Sequence, residues 1–344
     1  MFQFVIRRLL QGVVLLLILS VALFLLMMNL GDPIATMGSG RALTRPEDRA
    51  RLTRQLGLDK PIAVQYLYWL AGNDWTKVDS DGDGVPDKNG TRVGIVRGDF
   101  GTSLVTRKPV SEMIGERIPN TLILMVASEI ITIVFALVIG IYSALRQYSA
   151  LDNFLTTLLF IGYSMPVFFV SLMSMYIFAV LFKKWGLPYL PTVGMFDPQI
   201  GKTLTQVLWH MVLPVMSLSV IYFAAYSRYI RSTMLEVMSQ DYIRTARSKG
   251  LPRRQVVYVH ALKNAALPIV TVIGLDLPFL LGGAVVTERI FAWPGMGRLF
   301  LDHLSRADVS VVMGILMLVA VAVVIFQIIT DIFYAWLDPR IRYN

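Results

Sequence analysis

The sequence contains no cysteine and only three histidines among its 344 residues. Without cysteine, disulfide bonds, thiolate metal sites and thiol catalysis are excluded. The histidines His210, His260 and His303 are far apart, and there is no H-E-x-x-H motif that could hold a catalytic zinc ion. A G-x-x-x-x-G-K-[ST] phosphate-binding loop is also absent. We therefore expect no enzymatic activity, and no ATPase, in this chain.

Charge is scarce as well. Charged residues make up 16% of the chain and hydrophobic residues 55%, whereas a soluble domain has about 25% charged and roughly 45–50% apolar residues. The chain has more apolar side chain than a globular core needs and too little charge to cover it. We therefore expect lipid to be its solvent, and we predict an all-α polytopic membrane protein.

Six apolar runs are long enough to cross a membrane, since about 30 Å of hydrocarbon requires roughly 20 helical residues. The first run exceeds the roughly 7–15 apolar residues of a signal peptide and lacks a small-residue cleavage site, so it is predicted to be retained. The third run contains Pro166, which predicts a kink that either lines a cavity or reflects ordinary helix packing. The runs are approximately Leu9–Leu30, Thr121–Ala144, Phe154–Phe182, Val207–Tyr226, Leu267–Val286 and Val311–Phe333.

Basic residues fix the expected orientation, because short cytoplasmic loops carry an excess of lysine and arginine. If both termini are cytoplasmic, thirteen basic residues lie inside and six lie in the two short outer loops. This distribution accounts for much of the net charge of +9, so we expect no nucleic-acid partner. We expect a multi-pass protein of a prokaryotic inner membrane, with both termini in the cytoplasm.

The segment 31–120 is polar and rich in glycine, which predicts a small extracytoplasmic subdomain between the first transmembrane helix (1–30) and a core of five further helices (121–344). Helical patterns occur over Arg45–Leu58 and Ile62–Leu70. The subdomain contains an Asp-rich insert, residues 79–87, whose spacing is that of the first half of a calcium-binding loop, without the final glutamate. Two interpretations stay open, a calcium site and a solvated acidic turn; the candidate ligands are Asp79, Asp81, Asp83 and Asp87.

The loop 227–266 holds eight of the thirteen inner basic residues. Asp241 can cap a helix, Gly250 can end it, and Pro252 suits the first turn of another. The spacing predicts a helix over Tyr242–Lys249, roughly 12 Å long, which is too short to be stable without a surface to pack on. Its arginines suit an acidic protein partner, and the alternative is a loop lying on anionic lipid headgroups.

The string 241–251, with His260–Pro268 after it, resembles the cytoplasmic EAA-type loop of membrane subunits in ATP-binding-cassette importers. Arg244-Thr245-Ala246 stands where the general motif has Glu-Ala-Ala, as in the peptide-importer subgroup. The whole chain is similar to the first permease of dipeptide and oligopeptide importers, and the Asp-rich insert looks like an addition to that pattern. Further matching motifs are Gly31–Pro33, Leu56–Pro61, Gly98–Gly101, Tyr163–Pro166, Glu288–Arg298 and Asp338–Arg342.

The resemblance implies the type I importer permease fold, with this chain forming half of a pathway for peptides. It implies a second permease, two subunits that bind ATP and Mg²⁺, and a binding protein that delivers substrate to an outer surface including Trp293-Pro294-Gly295. No cofactor is expected on this subunit apart from the possible Ca²⁺. The residues implied to couple to the ATPase are Asp241, Tyr242, Ile243, Arg244, Thr245, Ala246, Arg247, Lys249, Gly250 and Leu251.

Ionisable residues inside spans are costly, roughly 2.5–3.5 kcal/mol at mid-membrane, and therefore suggest function. Glu129 and Asp276 stand out, and with Ser164 and Pro166 they are our candidates for the translocation pathway. The same acidic residues allow an alternative, a proton-coupled secondary transporter that needs no ATPase. The substrate stays open, because permeases of the subgroup resemble one another across dipeptides, longer peptides, some sugars and nickel.

Overall fold

A computed structural model describes residues 2–28, 50, 53–54, 57–79, 85–90 and 92–337. For residues 2–5, 27, 267–269, 271, 275–283 and 333–337 it describes the backbone alone. The helices are α1 Phe2–Met28, α2 Ile62–Ala71, α3 Val110–Leu145, α4 Ala150–Ser164, α5 Val167–Met175, α6 Phe182–Lys184, α7 Leu204–Met238, α8 Asp241–Ser248, α9 Arg253–Gln255, α10 Leu262–Ile290, α11 Met296–Leu304 and α12 Val309–Leu337. Two strands, β1 Lys77–Val78 and β2 Lys88–Asn89, pair antiparallel.

Five helices in the described part of the chain are long and apolar enough to cross a membrane. They confirm the all-α polytopic fold. The remaining predicted span, Leu267–Val286, falls inside the 29-residue α10, where many side chains lie outside the described residues. The five spans are Ile6–Leu26, Val110–Leu145, Val167–Lys184, Leu204–Met238 and Val309–Ile332.

The prediction of one kinked helix over Phe154–Phe182 is wrong. The chain is extended at Met165, with ψ of 133°, and at Pro166, with ψ of 143°, so that α4 ends at Ser164 and α5 begins at Val167. The physical reason is steric, because a proline ring disfavours the helical conformation of the residue before it. After α5 the chain passes through a π-helical turn, Tyr176–Leu181, into the short α6.

Helix α7 extends well past the predicted span and ends at Met238. The C-terminal half of α7 packs closely on α3. A Cβ added to Gly140 of α3 would lie 2.7 Å from Cγ2 of Ile230, so only glycine allows this approach. Two cores of buried side chains follow from this packing, one near Ile230 and one that includes Trp293 and Leu124.

Residue contacts divide the chain into two units, one built mainly on Asn120–Arg298 and the other mainly on Ile6–Pro119 with Leu299–Ala322. In the second unit, α1 packs against α2: the ring of Phe24 lies 5.5 Å from that of Tyr66 and 5.6 Å from that of Trp69. The hydroxyls of Ser20 and Tyr66 are 2.7 Å apart. Helix α2 confirms the pattern over Ile62–Leu70, whereas most of the predicted helix over Arg45–Leu58 lies outside the described residues.

The second unit also contains a buried carboxylate that the sequence did not single out. Asp308 is fully buried and accepts hydrogen bonds from the Ser103 hydroxyl and the Leu104 backbone N–H. Its Oδ2 lies 2.9 Å from Nδ1 of His303, which is also buried. These contacts join the polar segment before α3 to the turn between α11 and α12. The division of the chain at residues 30 and 120 stays a prediction.

In the polar segment, β1 and β2 pair as the two strands of a small hairpin. Asp79 directly follows β1, and Asp87 directly precedes β2. Asp81 and Asp83 lie outside the described residues. Nearby, the guanidinium of Arg97 donates hydrogen bonds to both carboxylate oxygens of Asp74. These hydrogen bonds, which outweigh the other influences on the carboxyl, lower the pKa of Asp74 below its ordinary value.

Candidate docking helix and translocation pathway

The predicted loop helix is present as α8, Asp241–Ser248, one residue earlier than expected. The prediction that Asp241 caps it is wrong. Gln240 occupies the N-cap with no side-chain hydrogen bond, and Asp241 is the first helical residue. At that position its carboxylate still favours the positive end of the helix dipole, and it lies 3.8 Å from the guanidinium of Arg244.

One face of α8 is fully buried. Ile243 is 0% exposed and Ala246 is 6% exposed, and they are three residues apart, so they lie on the same side of the helix. These two side chains join a core supplied by α3, α7 and the segment leading into α10. Its other buried members are Ala136, Ile141, Ala144, Tyr226, Ile230, Met234, Val256, Val257, Ala261 and Ala265. This packing supplies the surface that so short a helix needs.

The opposite face of α8 is exposed and basic. The side chain of Arg244 is 76% exposed, and Tyr242, Thr245 and Arg247 are also exposed. The hydroxyl of Thr245 donates to the Asp241 carbonyl, within the helix. The helix therefore presents guanidinium groups to its surroundings while its apolar side holds it to the rest of the unit.

A Schellman motif ends α8. The N–H of Gly250 donates to the Arg247 carbonyl at 2.9 Å, and the N–H of Leu251 donates to the Ala246 carbonyl at 3.4 Å. Gly250 has a φ of +74°, in the left-handed region that other residues disfavour. The prediction that Gly250 closes this helix is confirmed. The chain then turns at Pro252, which is the N-cap of α9 rather than a residue of its first turn.

From α9 the chain continues through a π-helical turn, Val256–Ala261, into α10 without a break. Val256, Val257 and Ala261 are buried in the same core as Ile243. Helix α8 is thus connected to α7 before it and to α10 after it, and it packs on both. Helix α8 therefore shares a buried core with the ends of two long helices.

The pathway candidates occupy different environments. Glu129 in α3 is 6% exposed, so its carboxylate is enclosed by this chain. Ser164 and Pro166 are exposed at the break between α4 and α5, where the Ser164 hydroxyl donates to the Phe160 carbonyl. The side chain of Asp276 lies outside the described residues. The role of these four residues stays a prediction.

A buried polar network that the sequence does not predict surrounds Glu288. Its Oε1 accepts a hydrogen bond of 2.7 Å from the Thr121 hydroxyl, and its Oε2 accepts one of 3.0 Å from the Arg298 N–H. The Thr121 oxygen in turn accepts from the Met296 N–H. A Cβ on Gly295 would overlap the Glu288 carboxylate, so glycine is required there. The sequence signal was the carboxylate and the two glycines within Glu288–Arg298.

The same network corrects our expectation for Trp293. The resemblance implied that this residue helps to receive a binding protein, but its side chain is 0% exposed. Its indole N–H donates to the Asn120 carbonyl at 2.9 Å, and the Asn120 amide donates to the Pro294 carbonyl. The indole is buried because it fills the junction between the start of the α3 span and the end of α10. It holds these helices together instead of forming an exposed surface.

A polytopic helical fold with a short basic helix packed against its long helices is the arrangement expected of a transporter's membrane subunit. Residues 136–343 match the family of binding-protein-dependent transport system inner membrane components, and residues 1–125 match the N-terminal model of such components. The chain belongs to this family and is a multi-pass inner-membrane protein. The sequence-based identification of an importer permease is confirmed, and the proton-coupled alternative is not supported.

Two curated relatives align over the full length of both chains. The oligopeptide transport system permease protein AppB of Bacillus subtilis (strain 168) is 38% identical over 345 residues. The dipeptide transport system permease protein DppB of Escherichia coli (strain K12) is 36% identical over 368 residues. Among solved structures, a chain of the MetNI methionine ABC transporter, inward-facing, is similar with a TM-score of 0.52 and 17% identity. That likeness covers 66% of this chain and 96% of the other and confirms the fold.

Proposed function

We propose that this chain is the first permease of an ATP-driven importer for di- or oligopeptides. The observation that carries the proposal is α8, which has one face buried among helices of the permease and a second, basic face left exposed. A separate ATP-binding subunit with an acidic groove would receive this face. The peptide substrate is supported by the printed functions of the two full-length relatives.

The complete importer in this proposal contains a second permease, two ATP-binding subunits that hold ATP and Mg²⁺, and an extracytoplasmic binding protein. Both termini and α8 lie in the cytoplasm, which places the excess of arginine and lysine there. ATP-driven closure of the two motor subunits moves α8, and α7 and α10 move with it. This chain itself hydrolyses nothing.

The test is to purify the tagged chain with its native partners and to reconstitute the complex in proteoliposomes. Uptake of the dipeptide alanyl-alanine should require ATP and the binding protein, and a proton gradient alone should drive none. Reversing the exposed charges with Arg244→Glu and Arg247→Glu should abolish association with the ATP-binding subunit. The matched control is Arg254→Glu, which changes an exposed arginine of the same loop outside α8. Uptake by this polypeptide alone, driven by protons, would refute the proposal.

We also propose that Asp276 lines the peptide pathway and that Glu129, enclosed by this chain here, faces the pathway when the surrounding helices move during transport. Their charge attracts the ammonium end of the substrate. The support is the cost of placing carboxylates within spans without a function. Replacing Asp276 by asparagine should reduce alanyl-alanine uptake while leaving complex assembly and basal ATPase activity intact. Unchanged uptake in both the Asp276→Asn and Glu129→Gln variants would contradict this role.

A calcium site at the Asp-rich hairpin is a separate proposal, supported by the Asp-x-Asp-x-Asp-Gly spacing and by the paired strands that flank it. Isothermal titration of the whole protein with CaCl₂ should release or absorb heat. That heat should disappear in a double variant, Asp81→Asn with Asp83→Asn. No heat in the wild-type protein would leave the acidic turn as the correct interpretation.

A further inference from the structure

A cleft opens between α3, α4 and α7. One end is basic, because Arg228 and Arg231 of α7 both line it. The remainder is largely apolar. The other lining residues are Ile139, Ser143, Thr156, Leu159, Phe160, Tyr163, Ala224, Ala225 and Ser227.

The two arginines differ in how their charge is balanced. Arg231 donates to Asp152, which is 1% exposed, with 3.0 Å between the guanidinium nitrogen and Oδ2. Arg228 lies over the ring of Tyr163, 5.8 Å from its centroid, and pairs with no carboxylate among the residues that the structure describes. The cleft therefore carries one positive charge that the described protein does not neutralise, held in place by a cation–π contact.

The cleft lies at a membrane boundary. Roughly 20 residues of helix cross the hydrocarbon, so a span that starts near Val207 of α7 reaches the other side near Ser227. Arg228 is the next residue, and Arg231 lies one turn further on. This is the boundary from which the basic loop with α8 continues.

We propose that this cleft binds an anionic phospholipid of the leaflet that faces the basic loop. Its phosphate pairs with Arg228, for which a guanidinium is well suited because it can donate two parallel hydrogen bonds. An acyl chain lies along the apolar walls formed by Leu159, Phe160 and Ala224. A free anion would use only the basic end, whereas a lipid uses both. Basic pockets between transmembrane helices at the cytoplasmic side are known to bind anionic headgroups.

The experiment is native mass spectrometry of the whole chain in detergent, titrated with phosphatidylglycerol or with phosphatidylcholine carrying the same acyl chains. The wild-type protein should retain phosphatidylglycerol preferentially. Arg228→Gln should weaken that binding about fivefold, the effect of roughly one basic residue near an anionic lipid. Arg228→Lys should weaken it less, because the charge is kept. The matched control Arg146→Gln, an exposed arginine that does not line the cleft, should leave the affinity unchanged.

Equal retention of the two lipids would overturn the proposal, as would equal losses in Arg228→Gln and Arg146→Gln. Displacement of the lipid by alanyl-alanine or by inorganic phosphate would assign the cleft to a peptide carboxylate or a free anion instead. If Arg228→Gln does not fold, Tyr163→Leu removes the ring without changing the charge and should weaken binding about twofold to threefold; no change there would also overturn it. None of these measurements depends on ATP or on a transport partner, so this proposal and the importer proposal can fail separately.

Discussion

Replacing Gly250 by alanine tests whether the end of α8 presents that helix to a partner. Gly250 has a φ of +74°, and nothing lies within 4 Å of a Cβ built on it. The cost of alanine is therefore a backbone cost alone, roughly 1–2 kcal/mol for the left-handed conformation. If the free loop relaxes from this turn and docking restores it, the whole cost appears in the docking affinity.

A cost of this size weakens the association by roughly fivefold to thirtyfold. The assay is the dissociation constant between the permease in detergent and the ATP-binding subunit that is recovered with it. Gly250→Asn should lose less, because asparagine tolerates this conformation better. Gly186, with a φ of +70° and nothing within 4 Å of an added Cβ, provides the matched control. Gly186→Ala should have the same local cost and no effect on docking.

An unchanged dissociation constant for Gly250→Ala would refute the reasoning, because the turn would then not matter for docking. Equal weakening by Gly250→Ala and Gly186→Ala would refute it too, since the effect would then be general destabilisation.

Three further predictions follow from buried or paired groups. Ile243→Ala should lower the free energy of unfolding by about 2–5 kcal/mol, because it leaves a cavity at a fully buried site. The control Thr245→Ala changes an exposed residue of the same helix and should alter the free energy of unfolding by about 0.5 kcal/mol or less. Thermal melting in detergent measures both variants. Glu288→Gln should lower the free energy of unfolding by roughly 1–3 kcal/mol, because either the Thr121 hydroxyl or the Arg298 N–H loses its acceptor. Thr121→Ser keeps the hydroxyl and should lower it less in the same melting assay. The lowered pKa of Asp74 means that its pairing with Arg97 stabilises the polar segment before α3 above the ordinary pKa of 3.8. This contribution is lost as the pH falls through the lowered value. Asp74→Asn keeps the hydrogen bond from Arg97 to the Ala71 carbonyl and resembles the protonated carboxyl. This variant should therefore speed hydrogen exchange around position 74 at pH 6 and differ little from the wild type at a pH below both values; faster exchange that persists unchanged at low pH would contradict this.

Local signals predicted α8 well because the chemistry of neighbouring residues determines where this helix ends. Gly250 ends α8 for a reason that the sequence displays, and the spacing of Ile243 and Ala246 matches the face that is buried. For the same reason, four of the six apolar runs located membrane spans. A proline in an apolar run is compatible either with one kinked helix or with two separate helices. Neighbouring helices decide between the two, so the break at Pro166 could not be predicted from the local sequence.

The network at Glu288 could not be predicted from the sequence pattern. Thr121 and Glu288 are 167 residues apart, and no periodicity connects them. The resemblance implied an exposed recognition surface at Trp293, whereas the structure buries this side chain and bonds its N–H to the Asn120 carbonyl. Whether such a side chain faces outward depends on which helix ends meet, and that is decided by tertiary packing.

Helix α3 is fixed to its neighbours near both ends of its membrane span. At one end Thr121 is hydrogen-bonded to Glu288 of α10 and Asn120 to Trp293, which follows that helix. At the other end Ala136, Ile141 and Ala144 share a core with α8. The residues from 120 to 145 form about 37 Å of helix at 1.5 Å per residue. A helix of this length is stiff along its axis. If α8 docks on an ATP-binding subunit as proposed, α3 connects that docking site to the opposite end of the membrane span.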